Sequence, residues 1–68
     1  MYLAFGFLTI DVALKEYTVL DLYGKIHLSG KNCSQGQQLD LSNLAPGSYI
    51  LVGQNENNSK ILQRFVKI

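Results

Sequence analysis

Leu39-Asp40-Leu41-Ser42-Asn43-Leu44-Ala45-Pro46-Gly47-Ser48-Tyr49-Ile50-Leu51-Val52 reads as a strand, a proline-glycine turn and a second strand with hardly a residue between them. Alternation turns Leu39 and Leu41 inward from a short strand, Gln38 to Leu41, and Leu44 plugs the core from the connection that follows. In Ala45-Pro46-Gly47-Ser48, proline presets the second turn position and glycine supplies the positive φ of the third, as a type II turn requires. A strand from Tyr49 to Gln54 starts at once.

Upstream, Phe7 to Val12 forms a first strand, Ala13-Leu14-Lys15 a turn, and Glu16 to Leu20 a second strand expected to pair with the first. Asp21-Leu22-Tyr23-Gly24 places Asp first and Gly fourth, the preference of a type I turn whose glycine relieves a left-handed backbone. The return strand, Lys25 to Ser29, turns Ile26 and Leu28 inward and leaves Lys25, His27 and Ser29 in solvent. Gly30 to Gln37 is polar and glycine-flanked, hence a connecting loop. Downstream, Asn55-Glu56-Asn57-Asn58-Ser59 is a hairpin tip, and Lys60 to Ile68 is a final strand carrying Ile61, Leu62, Phe65, Val66 and Ile68.

No window sustains the spacing of an amphipathic helix, so the chain is all-β. Six short strands imply a small antiparallel β-sandwich of the immunoglobulin-like or fibronectin III-like kind, or an open barrel. With 68 residues, the chain is a single domain, 1–68, and its stability is marginal because a fold this small buries only about 60% of its unfolded surface. A fragile or weakly dimeric molecule is expected, pairing through an exposed strand edge.

Six Lys or Arg against five Asp or Glu leave a net charge of +1, which provides no electrostatic pull toward nucleic acid or anionic lipid. Lys60, Arg64 and Lys67 cluster on the last strand and read as edge protection against strand pairing. The apolar run Met1 to Ile10 falls short of the roughly 20 residues of a membrane-spanning helix. It also lacks the preceding cation and the small-residue cleavage site of a secretory signal.

Catalysis needs acid, base or nucleophile groups that converge with oriented partners. The titratable set here is His27, Cys33 and five scattered carboxylates with no converging spacing, which reads as a non-enzyme. His27 and Cys33 alone do not supply the four ligands of a zinc site, so neither metal nor cofactor is expected. Ser29-Gly30-Lys31 lacks the glycine run and following helix of a phosphate-binding loop. Cys33 reads as an incidental loop cysteine, which in an exported chain is a free thiol or pairs with another chain.

Four segments in order resemble a known family. Gly6-Phe7-Leu8-Thr9-Ile10 is similar to its first strand, Asp21-Leu22-Tyr23-Gly24-Lys25 to its hairpin with Lys in place of Arg, Leu44-Ala45-Pro46-Gly47-Ser48-Tyr49 to its Leu-x-x-Gly-x-Tyr block, and Arg64-Phe65-Val66-Lys67-Ile68 to its terminal strand. The chain thus resembles, over residues 6–68, the type A C-terminal sorting domains of the type IX (Por) secretion system. Met1-Tyr2-Leu3-Ala4 stands where the family has Pro-Asn-Pro-Thr, which suggests a sandwich shortened at its front, by a truncated reading frame or by excision from a longer precursor.

The resemblance implies a non-catalytic secretion address on a longer precursor that enters the periplasm by its own signal peptide. An outer-membrane translocon would recognise it, a sortase-like peptidase would remove it upstream of the fold, and the cargo would reach the cell surface or be secreted. Gly24, Lys25, Gly47, Tyr49, Arg64 and Lys67 match the family signature and become the candidate recognition positions. The glycines among them set turns and Tyr49 packs, which leaves the exposed cations to touch a partner.

Two other readings compete. Leu44-x-Pro46-Gly47-x-Tyr49 is also similar to the tyrosine corner of fibronectin III-like adhesion or carbohydrate-binding modules, in which Tyr23 at the hairpin tip would be the exposed stacking aromatic. The other is a truncated remnant without present function.

Overall fold

The computed structural model describes residues 2–68. Met1, the first residue of the apolar run and of the segment that replaces Pro-Asn-Pro-Thr, lies outside the described residues. Seven strands are present among them: β1 (Tyr2–Ala4), β2 (Phe7–Thr9), β3 (Leu14–Asp21), β4 (Ile26–Cys33), β5 (Gln38–Asp40), β6 (Gly47–Gln54) and β7 (Lys60–Lys67). Five form one sheet in the order β1-β7-β6-β3-β4, and β2 and β5 form the second. All pairings are antiparallel except that of β1 with β7.

The two sheets enclose one core. Leu8 and Leu39, directly paired across β2 and β5, face Val19, Leu51 and Phe65 of the larger sheet, and Leu41 and Leu44 close the gap from the β5–β6 connection. Leu39, Leu41 and Leu44 are all buried, as the alternation and the connection predict. The β-sandwich expected from the strand spacing is therefore the observed fold.

Several local expectations are corrected. The strand expected over Phe7 to Val12 ends at Thr9 and does not pair with β3; it pairs with β5, with Phe7 opposite Asp40. Ile10 continues that pairing by donating to Gln37 O and accepting from Gly36 N, after which the chain crosses between the sheets instead of turning back on itself. β3 lies between β4 and β6. The chain's front is also in sheet: β1 runs parallel to β7, with Tyr2 opposite Phe65, and Ile68 N donates to Ala4 O. β1 covers only Phe65 to Lys67 of β7, so Lys67 is not on an edge, whereas Lys60 and Arg64 are on the uncovered stretch.

The expected loop Gly30 to Gln37 is strand as far as Cys33. Gly30 sits opposite Tyr17, whose ring lies where a β-carbon on Gly30 would be, so this glycine makes room for a cross-strand aromatic and does not mark a loop. Cys33 pairs with Leu14 and is buried in the core, not incidental in a loop. The Pro46 turn differs as well. Gly47 already belongs to β6 with φ at +155°, outside the range of a type II turn, and no hydrogen bond from Ser48 N to Ala45 O closes it.

Candidate functional site

The Asp21 to Gly24 turn forms as expected, with Gly24 N donating to Asp21 O and Gly24 at φ +85°. The loop then closes with Asp21 N donating to Lys25 O, which makes it a three-residue hairpin with the glycine in the left-handed position. Asp21 Oδ1 accepts from the backbone amides of Tyr23 at 2.9 Å and Lys25 at 3.0 Å. An aspartate that opens a turn and binds amides two and four residues on holds the tip rigid.

β4 carries one residue too many just beyond this turn. Leu20 pairs with Ile26 but Val19 pairs with Leu28, and His27 is the extra residue of a β-bulge. The bulge corrects the expected alternation: Ile26 faces outward and is more than half exposed, whereas His27 turns to the inner side of the sheet. His27 Nε2 lies 2.9 Å from Asp21 Oδ2, and its ring meets that of Tyr49 edge-on at 5.4 Å. An ionised carboxylate only accepts, so Nε2 carries the proton.

A transverse row results, with Phe65 on β7, Tyr49 on β6, Asp21 on β3 and His27 on β4. Tyr49 is register-paired with both Asp21 and Phe65 and stacks on the Phe65 ring at 5.7 Å. Its hydroxyl donates to the carbonyl of Ala45, four residues back, the geometry of a tyrosine corner. The hydrogen bond from His27, joined by those from the Lys25 and Tyr23 amides, holds the Asp21 carboxyl below its ordinary range against a smaller opposing effect of burial. Both Asp21 oxygens are committed to this row and this turn, so the pair works as a brace for the hairpin.

The six signature positions fall as follows. Gly24 and Lys25 lie at this turn, Gly47 pairs with Lys67, and Tyr49 pairs with Asp21, so five of the six gather at the end of the sandwich where β3, β6 and β7 meet the turn. Arg64 stands apart on the outer face, opposite Ile50. Lys25 and Arg64 are exposed, Lys67 is half-buried and Tyr49 is buried. Asp21, read from the sequence only as the residue that opens the turn, and His27, read as facing solvent, complete the cluster; their meeting was missed because a bulge of one residue leaves no trace in hydrophobic alternation.

Among the described residues there is no group of three or more His, Cys, Asp or Glu placed to share a metal ion, and no helix long and apolar enough to cross a membrane.

The family of secretion system C-terminal sorting domains matches residues 4–68. The chain belongs to the type IX secretion C-terminal sorting domain family. No curated protein and no solved structure matches it. Members of the family are sorting signals, non-catalytic in general, and a sorting domain implies a precursor exported by the type IX system to the cell surface or beyond, through interaction with the secretion machinery.

Proposed function

We propose that residues 1–68 act as one sorting-type domain, a non-catalytic signal that directs an attached cargo across the outer membrane. The precursor passes through the periplasm, the outer-membrane translocon reads the folded sandwich, and a sortase-like peptidase then removes it upstream of the fold. The observation that carries this reading is the family match over residues 4–68. The gathering of five signature positions around the braced turn supports it, since a rigid tip presents a fixed surface to a receptor. Lys25 and Arg64 are the contacts we assign to the translocon, being exposed cations. Gly24, Gly47 and Tyr49 shape the end, and the half-buried Lys67 stands beside them opposite Gly47.

The test is a periplasm-directed fluorescent reporter fused ahead of the chain in a host with a working type IX system. Deleting Arg64 to Ile68 is a poor control because it removes Phe65 from the core. Lys25→Glu with Arg64→Glu keeps every buried group and is the informative variant. Reporter outside the cell with the native chain and retained with the folded double variant is the expected result; equal export of both would remove these cations from the recognition surface.

The adhesion or carbohydrate reading rests on Tyr23, which is 97% exposed at the hairpin tip. Glycan binding that disappears in Tyr23→Ala, with export unchanged, would favour that reading.

A further inference from the structure

Strand alternation gives a sandwich two outer faces, and here the two are unlike in charge. On the five-stranded sheet, register aligns Ile26, Leu20, Ile50 and Arg64 across β4, β3, β6 and β7, and the next row carries Val52 and Leu62. Ile26 and Leu62 are 59% and 66% exposed. Outer positions of a half-solvated antiparallel sheet are ordinarily polar, so this apolar centre is unusual. Lys31 and Lys60 flank it with Arg64, against a single acid, Glu16.

The opposite face belongs to the two-stranded sheet. Leu8 and Leu39 point into the core, so their neighbours Phe7 and Asp40, a direct cross-strand pair, point out. Phe7 is 52% exposed, and Val12 on the connection that leaves β2 is 41% exposed beside the acid Asp11. Hydrogen bonds from the Ser42 amide and hydroxyl hold the Asp40 carboxyl below its ordinary value. One face thus carries apolar residues with cations, and the other an exposed aromatic beside an acid.

We propose that copies of this chain associate head to tail, with the outer face of the five-stranded sheet of one seated on the β2–β5 face of the next. This goes beyond the sorting function and does not depend on it. Charge selects the arrangement: stacking two five-stranded faces would bring Arg64, Lys31 and Lys60 of the two copies together, whereas the β2–β5 face offers Asp40. A net charge of only +1 supplies little general repulsion to oppose contact. The contact is heterologous and leaves a free face at each end, so it extends into short chains without closing. Extents of 32 × 23 × 21 Å cap the larger face at about 700 Å², and the two three-residue strands of the other present far less, so the association is weak and is seen only at high concentration.

The test is sedimentation of the 68-residue chain from about 10 μM to about 1 mM, at low and at high salt. The expected result is a mass that rises with concentration and falls back several-fold toward the monomer as salt is added. Leu62→Ser and Phe7→Ser each break one face without touching the core, and each alone should remain monomeric. Mixed, they retain one intact face apiece and should form a complex of two copies that grows no further. Arg64→Glu mixed with Asp40→Lys serves if either serine variant fails to fold: each alone should be monomeric, and the mixture, in which reversal restores attraction at both faces, should regain the concentration-dependent growth. A native chain monomeric throughout overturns the proposal. A salt-insensitive dimer lost in Leu62→Ser but kept in Phe7→Ser, or a monomer that instead binds phosphatidylglycerol vesicles through Leu62, overturns it equally.

Discussion

His27 Nε2 and Asp21 Oδ2 lie 2.9 Å apart across β4 and β3, and a β-bulge makes that meeting possible. Without the extra residue, strict alternation would turn His27 to the outer face and leave Asp21 with only its turn amides. The pair links the hairpin tip to Tyr49 and through it to the Phe65 core.

The carboxyl of Asp21 is held below its ordinary value of 3.8, chiefly by His27 and then by the Lys25 and Tyr23 amides. A depressed acid stabilises the fold above its unfolded value, and that stabilisation disappears as pH falls through the folded one. The native chain should therefore unfold more readily below about pH 4, and Asp21→Asn, which keeps the turn acceptor but not the charge, should lose part of this acid dependence. Urea midpoints of the two chains across the acid range check it; curves that stay parallel throughout would remove the carboxylate from the account.

Gly30 should not tolerate a side chain. A β-carbon there would lie 2.6 Å from the Tyr17 hydroxyl oxygen and 2.7 Å from the ring carbons, in a strand with neighbours on one side only. Gly30→Val should cost about 1–3 kcal/mol by overpacking. The same change in a Tyr17→Ala background should cost markedly less, because the obstructing ring is gone, and a double-mutant cycle by urea denaturation measures that coupling.

What the sequence made legible follows from range. The hairpin of Asp21 to Gly24, the tip at Asn55 to Ser59, the inward Leu39 and Leu41 and the two long strands β6 and β7 are set by residues a few positions apart. Turn chemistry and alternation are local signals of that kind. β1 was not legible because three apolar residues that pair in parallel with a strand some sixty positions away carry no local mark. The partner of β2 was missed for the same reason, since a crossing between sheets and a tight hairpin look alike at Asp11 to Leu14. At the candidate site, the signature residues themselves were readable, but their convergence with His27 depends on a one-residue shift in register.

Tyr49 combines a buried ring with a hydroxyl that donates to Ala45 O. Tyr49→Phe preserves the stacking on Phe65 and the edge contact with His27 but leaves that carbonyl without its partner. A loss of about 0.5–1.5 kcal/mol is expected, with the sandwich intact by circular dichroism. A midpoint equal to that of the native chain would mean that water replaces the hydroxyl at no cost.

Cys33 is 2% exposed and sits against Leu14, and burial raises its thiol above the ordinary value. Thiolate is the reactive form, so both access and ionisation oppose alkylation. Iodoacetamide should label the native chain far more slowly than the urea-unfolded one, at a rate that tracks opening of the fold. Fast labelling under native conditions, or ready formation of intermolecular disulfides, would place the thiol at the surface.

Phe65 joins the fold to the function. It is 1% exposed, pairs with Tyr49 on one side and with Tyr2 on the other, and lies within the Arg64 to Ile68 segment that matches the family's terminal strand. Phe65→Ala should cost about 3–5 kcal/mol. A chain of 68 residues has roughly 3–10 kcal/mol in all at typical values per residue, and toward the lower end of that range, where so small a fold belongs, the variant should be largely unfolded at ambient temperature. Export of a fused reporter should then fail through loss of the folded sandwich, whereas Arg64→Glu, one residue away and exposed, should leave the urea midpoint within about 0.5 kcal/mol of native. Measuring midpoint and export on both variants separates a signal that is read as a folded surface from one read as a linear terminal sequence: export preserved in unfolded Phe65→Ala would establish the linear reading.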